Sequence, residues 1–180
     1  VVVASPTHLE RSGITLDGLA AAVPRLQAAG RTAVVVAVND KVWGVLGIAD
    51  VVRPQAAAAV ADLHRLGVER LVMLTGDNPT TAQAIAAQVG IDDVRAELSP
   101  EDKSRIVADL TATHGRVAMV GDGINDAPAL AAASVGIAMG TAGSDVALET
   151  ADVALMADDL SKLTEALHIG RRTRRIVRQN

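Results

Sequence analysis

Cysteine, phenylalanine and tyrosine are absent from the sequence, and Trp43 is its single large aromatic residue. Without cysteine there can be no disulfide, thiolate metal site or thiol nucleophile, and the chain suits a reducing compartment. Without phenylalanine and tyrosine the core must be built from alanine, valine, leucine and isoleucine, which favours close packing of alanine-faced helices. Interleaved basic and aromatic residues are also missing, and the net charge is −4. Both features argue against a nucleic-acid binder. No basic segment followed by an apolar core opens the chain, so no signal peptide is expected. The uncharged stretch 127–144 contains Pro128, three glycines and several hydroxyls, and makes a poor membrane span. The expectation is a soluble piece, long enough at 180 residues for one core or for one domain plus part of another.

What is present divides at Arg53-Pro54. The first fifty residues read as a helix over 16–29, ending at Gly30, and a β-hairpin. Its strands cover 32–38 and 42–49, around a tight turn at Asn39-Asp40-Lys41. Beyond the boundary, short β-rich runs alternate with helices. Helices are expected over 55–66, 80–89, 100–113, 127–133 and 160–178. Strands are expected over 71–74, 94–96, 117–120, 135–139 and 153–156. That alternation indicates a parallel sheet covered by helices on both faces.

In such a sheet, ligands sit outside the carboxyl ends of the strands. Three polar segments each follow a strand and so gather at that edge. Thr75-Gly76-Asp77-Asn78 offers a hydroxyl, free amides and a glycine that permits close approach, the chemistry that holds phosphoryl oxygens. Its bland alternative is a turn in which Asp77 or Asn78 caps the next helix. Ser99-Pro100-Glu101-Asp102-Lys103 is a strong helix start. Lys103 shares a face with Ile106, Val107 and Leu110, and points past the core edge unless it merely snorkels. In Met119–Leu130, "MVGDGINDAPAL", Gly121 and Gly123 let the loop turn sharply and bare its amides. There Asp122 can reach a divalent cation, and Asp126 can steady a neighbouring cation or Lys103. Hard oxygen donors without His or Cys suit Mg²⁺. Cradle, lysine and acidic loop together are the equipment of phosphoryl transfer.

A nucleophile is harder to find. Asp50, in "VLGIADVVRP", is the only earlier aspartate after a long apolar strand. Val51-Val52-Arg53-Pro54 follows it, where a phosphoaspartate would need Thr or Asp close behind, so Asp50 reads as a domain-boundary residue.

"MLTGDN", "ELSPEDK" and "VGDGINDAPAL", in that order and spacing, resemble the cytoplasmic motifs of P-type ATPases. The resemblance runs along essentially the whole chain, although Ala4 stands where that family has glycine. The heavy-metal-transporting class is nearest. "VRAELSPEDKSRIV" and "ETADVALMADDLSKL" are more similar to its Zn/Cd/Pb/Co branch than to its copper branch. The resemblance implies a haloacid-dehalogenase-like, Rossmann-type fold with three parts. Residues 1–50 would be the end of a nucleotide-binding domain, and 51–168 a phosphorylation domain lacking its first strand. Residues 169–180 would be a basic juxtamembrane helix end. Thr75 and Gly76 would contact the phosphoryl group, Asp77 would lie beside ATP, and Lys103 would neutralise the phosphoryl charge. Asp122 would bind Mg²⁺, with Asn125 and Asp126 completing that network.

The family's phosphorylated aspartate, in Asp-Lys-Thr-Gly-Thr, would lie before Val1. The fragment is therefore expected to be inactive alone, with its parent in the cell membrane and this segment cytoplasmic. Expected partners are ATP, a transported divalent heavy-metal cation and the remaining ATPase with its membrane helices. Five arginines between Arg171 and Arg178 would suit anionic headgroups beside a membrane span, or form a solvated face. Two rival readings are a free-standing phosphatase of the same fold using Asp50 and a non-catalytic binding module.

Overall fold

Residues 32–38 are apolar after Thr32, and in the structure their burial alternates, with Ala33, Val35 and Ala37 buried. The structure, a computed structural model, describes residues 1–48, 52–121, 124–140, 149–157 and 159–179. Strand β2 (Thr32–Val38) lies between β1 (Val2–Ala4) and β3 (Lys41–Ile48) in an antiparallel sheet. Asn39 and Asp40 join β2 to β3 with φ of 48° and 61°. Two consecutive left-handed residues make the turn whose twist matches a hairpin. Helices α1 (Pro6–Arg11) and α2 (Ala22–Ala28) cover one face, and Leu9, Ile14, Leu16 and Val23 complete a core of its own.

Two features here differ from the sequence reading. Strand β1 and helix α1 were not foreseen, although Ser5 caps α1 with Pro6 in its first turn. The helix expected over 16–29 is interrupted. Asp17–Leu19 forms a 3₁₀ turn and α2 begins only at Ala22. Pro24 supplies the reason, because its missing N–H is tolerated in the first turn of a helix and not in the interior.

The second body follows the expected alternation closely. Its elements are α3 (Ala56–Arg65), β4 (Val72–Leu74), α4 (Pro79–Val89), β5 (Asp93–Arg95) and α5 (Pro100–His114). They continue with β6 (Ala118–Gly121), α6 (Ala127–Ala132), β7 (Val135–Met139), β8 (Val153–Leu155) and α7 (Ser161–Gln179). All strand pairs here are parallel. They form two ladders instead of the single sheet expected, β4–β5 and β6–β7–β8. One edge of β4 and one of β6 have no ladder partner among the described residues.

The apolar cores of the two ladders are nevertheless continuous. Leu71 and Leu160 pack both against Ala56, Val60 and Val89 and against Leu63, Ile137, Met139, Leu155 and Leu163. Helix α7 runs unbroken through position 168, where a part boundary was expected. No helix among the described residues is long and apolar enough to cross a membrane.

Gly136 in β7 fixes how closely α6 approaches the sheet. A Cβ there would lie 2.8 Å from the Leu130 carbonyl oxygen, which a side chain cannot tolerate without a backbone shift. Gly136→Ala should therefore destabilise the chain by roughly 1–3 kcal/mol through overpacking. The measurement is a lower denaturation midpoint in urea at an unchanged slope.

Candidate functional site

The loop after β4 is closed by its own polar groups. The Thr75 hydroxyl donates to Asp77 Oδ2 at 2.9 Å, and the Asp77 N–H donates back to Thr75 Oγ1 at 3.1 Å. The other carboxylate oxygen, Asp77 Oδ1, accepts from Thr32 Oγ1 at 3.1 Å. Asp77 thus ties the loop after β4 to Thr32, the first residue of β2. Helix capping falls to Asn78 instead, whose side chain accepts from the Thr81 N–H at 3.0 Å. Thr81 is buried and donates to the Arg31 carbonyl at 3.2 Å, a second tie between the two bodies.

Thr32 and Thr81 had no assigned part in the sequence reading. Thr32 could have been suspected, as a hydroxyl at the start of an otherwise alanine-valine strand.

Backbone hydrogen bonds carry the same loop to the next motif. The Leu98 N–H donates to the Thr75 carbonyl at 3.1 Å, and the Glu97 N–H to that of Asp77 at 2.8 Å. Ser99 follows directly and caps α5 in a complete capping box with Asp102. The beginning of α5 is therefore fixed to the Thr75 loop, with Lys103 in its first turn. A Cβ at Gly76 would meet Leu98 O at an ordinary 3.4 Å, and Gly76 has no left-handed φ. The loop's own packing does not demand glycine at that position.

Lys103 does not snorkel. Its side chain is 18% exposed, and its Nζ donates to Asp126 Oδ1 at 2.8 Å. Asp126, 14% exposed, stands at the junction between the 3₁₀ turn Ile124–Asp126 and α6. Gly121 at the end of β6 makes room for it, because a Cβ there would lie 2.7 Å from that of Asp126. Ser104 donates to the Pro128 carbonyl at 3.2 Å, so α5 is bonded to α6 beside the ion pair. Val107, one turn further along α5, is buried.

Thr75 and Asp77 are bonded to the segment that leads into α5, Gly76 lies between them, and Lys103 in the first turn of α5 is paired with Asp126. Asn125 is exposed in the adjoining turn. Asp122 and Gly123, and the rival nucleophile Asp50, lie outside the described residues.

The donor chemistry fits Mg²⁺. Carboxylate and amide oxygens from Asp126 and Asn125 are hard ligands, as that ion requires. The described residues hold no group of three or more His, Cys, Asp or Glu able to enclose a metal. A site completed by water and phosphate needs only one or two carboxylates.

Hydrogen bonds from the Ser99 hydroxyl and N–H hold the Asp102 carboxyl below the usual value, with a smaller contribution from Arg105. A carboxyl lowered on folding stabilises above its unfolded pKa of about 4, and that stabilisation is lost as pH falls through the lower native value. Ser99→Ala should cost about 1 kcal/mol as a lost N-cap. The deficit relative to the parent chain should be full at neutral pH and shrink in acid, as read by urea denaturation across that range.

A family profile described as haloacid dehalogenase-like hydrolase matches residues 1–134. The chain is 51% identical over 155 residues to a "Probable cadmium-transporting ATPase" of Staphylococcus aureus strain MRSA252, covering 86% of this chain and 21% of that protein. It is 56% identical over 162 residues to a "Probable cation-transporting ATPase G" of Mycobacterium bovis, covering 90% and 21%. Among solved structures, a zinc-transporting PIB-type ATPase in the E2.Pi state superposes with a TM-score of 0.74 at 47% identity, covering 92% of this chain and 27% of that one. The chain spans about a fifth of the length of these curated relatives. By the profile match over most of its length, the chain belongs to the haloacid dehalogenase-like hydrolase family.

Proposed function

We propose that the chain is the phosphate- and Mg²⁺-handling part of an ATP-driven exporter of divalent heavy-metal cations that works through an aspartyl-phosphate. Two observations support this reading together: the Thr75 loop is bonded to the segment that leads into α5, and Lys103 in the first turn of α5 is paired with Asp126. The cadmium- and zinc-transporting names of relatives near 50% identity support the Zn/Cd/Pb/Co-type branch.

In the whole protein, an upstream aspartate would attack the γ-phosphorus of ATP. The bond to the bridging oxygen breaks, ADP leaves, and water later hydrolyses the acyl-phosphate. Residues 1–50 would belong to the nucleotide-binding domain and 51–168 to the phosphorylation domain, with 169–180 approaching the membrane from the cytoplasmic side. The strand bearing the nucleophile would complete the sheet between β4 and β6, whose free edges support such an insertion.

The residues of this chain then divide the work. The Thr75 hydroxyl, now donating to Asp77, would turn its hydrogen to a phosphoryl oxygen, joined by amides of the loop. Gly76, unexplained by its own loop, would permit the phosphoryl group to approach the backbone. Lys103 would place a fixed ammonium against the same oxygens, already oriented by Asp126 and needing little reorganisation. Asp77 would lie beside the bound nucleotide. Asp122 and Asp126, with Asn125, would hold Mg²⁺, which when bound neutralises phosphate charge and fixes its orientation.

Alone, the 180-residue chain should take no covalent phosphate from labelled Mg·ATP. A longer form carrying Asp-Lys-Thr-Gly-Thr upstream should form acid-stable, hydroxylamine-sensitive label. In that form, Thr75→Ala or Lys103→Met should slow labelling by about 10²–10³-fold. Label on residues 1–180 alone, or undiminished labelling in both variants, would contradict the proposal. Phosphomonoester hydrolysis abolished by Asp50→Asn would instead assign a free-standing phosphatase.

A further inference from the structure

The Asp77 carboxylate stands between two hydroxyls that come from different bodies of the molecule. Thr75 Oγ1 lies 2.9 Å from Oδ2, and Thr32 Oγ1 lies 3.1 Å from Oδ1. A carboxylate only accepts, so both hydroxyls donate. Thr75 Oγ1 meanwhile accepts from the Asp77 N–H at 3.1 Å. All three side chains are half-buried, where such bonds are stronger than in bulk water.

Thr32 is held in place without this contact. It opens β2, in register with Ile48 of β3, and its neighbour Ala33 is buried in the first core. On its other side, the Arg31 carbonyl accepts from the buried Thr81 hydroxyl at 3.2 Å. A Cβ at Gly30 would lie 3.9 Å from that of Ala84, so the chain entering β2 runs against α4. The Thr32 hydroxyl is thus a donor mounted on a strand, whereas the carboxylate it meets belongs to the loop after β4. Side chains on regular elements hold loop groups more closely than loops hold themselves.

We infer that Thr32 is a positioning residue for the Thr75 hydroxyl and acts through Asp77, an inference that rests on the phosphoryl contact proposed for Thr75. The Thr75 hydroxyl carries one hydrogen, so a phosphoryl oxygen must take it from Asp77. Donation from Thr32 assists that exchange in two ways of the same sign. It fixes the carboxylate in one orientation, so Thr75 is in place before the anion arrives. It also draws charge from the carboxylate, so Oδ2 competes less strongly for the Thr75 hydrogen. Without Thr32 the carboxylate could swing towards the anion and repel it. Thr81 and Arg31 join the same two bodies without touching Asp77, which separates positioning from mere docking.

The test uses the longer form that carries Asp-Lys-Thr-Gly-Thr upstream, with the maximal rate of labelling and the half-saturating Mg·ATP concentration both measured. Thr32→Val should lower the maximal rate by about tenfold or more, the order of one hydrogen bond to a charged group. Half-saturation should hardly change, and Thr32→Ser should restore most of the rate. Thr32→Ala supplies the same loss should the valine variant not fold. Thr81→Val should lower the urea midpoint and leave the labelling rate as it was. In the 180-residue chain, Thr32→Val should shift the Thr75 and Asp77 amide resonances and weaken their response to inorganic phosphate, and Thr32→Ser should do neither. Full-rate labelling in Thr32→Val, no rescue by serine, or an equal loss in Thr81→Val would overturn this inference and leave the reading of the site standing. A longer form that takes no label at all would overturn both.

Discussion

The ion pair between Lys103 and Asp126 is the contact on which the arrangement of this edge depends. Both side chains are largely withdrawn from water and meet at 2.8 Å. Lys103 sits in the first turn of α5 and Asp126 at the start of α6, and Ser104 bonds the same two helices. Losing one partner would strand the other in a half-buried setting, at a cost of roughly 1–3 kcal/mol. Gly121 is the accommodation that permits the pair, since any side chain there would displace Asp126.

A second constraint links this pair to the rest of the molecule. The hydrogen bonds from Leu98 and Glu97 to the Thr75 loop set where α5 starts. Asp77 then reaches across to Thr32, so the antiparallel body is tied to the loop that faces the edge. A movement of the first body would pull directly on the carboxylate that now holds the Thr75 hydroxyl.

Much of this was legible in the residues. Ser99-Pro100 with Asp102 marked the start of α5 because capping is a local interaction that sequence spells out directly. The β-rich runs Val72–Leu74 and Val135–Met139 were readable for the same reason, as short apolar segments between turn signals. The bond between the Thr75 loop and the segment entering α5 agrees with the parallel pairing of β4 and β5. Other features depend on contacts between distant segments. Nothing near Thr32 in sequence announces its bond to Asp77, 45 positions away. Asp77 and Asn78 were both candidates for the cap of α4; Asn78, directly before Pro79, takes it, while Asp77 is held by Thr32 and Thr75. Pro24 was present in the sequence, but helical spacing over 16–29 obscured its effect on where α2 begins. The division of the strands into two ladders reflects pairing, which periodicity does not encode.

The central claim is that Thr75, Gly76 and Lys103 converge on one anion, and its most direct test is amide and side-chain nuclear magnetic resonance of the 180-residue chain titrated with inorganic phosphate and Mg²⁺. The account predicts that the Thr75 and Gly76 amides and the Lys103 ammonium shift together along a single, weak binding curve. Shifts confined to one of these groups, or following separate curves, would contradict it.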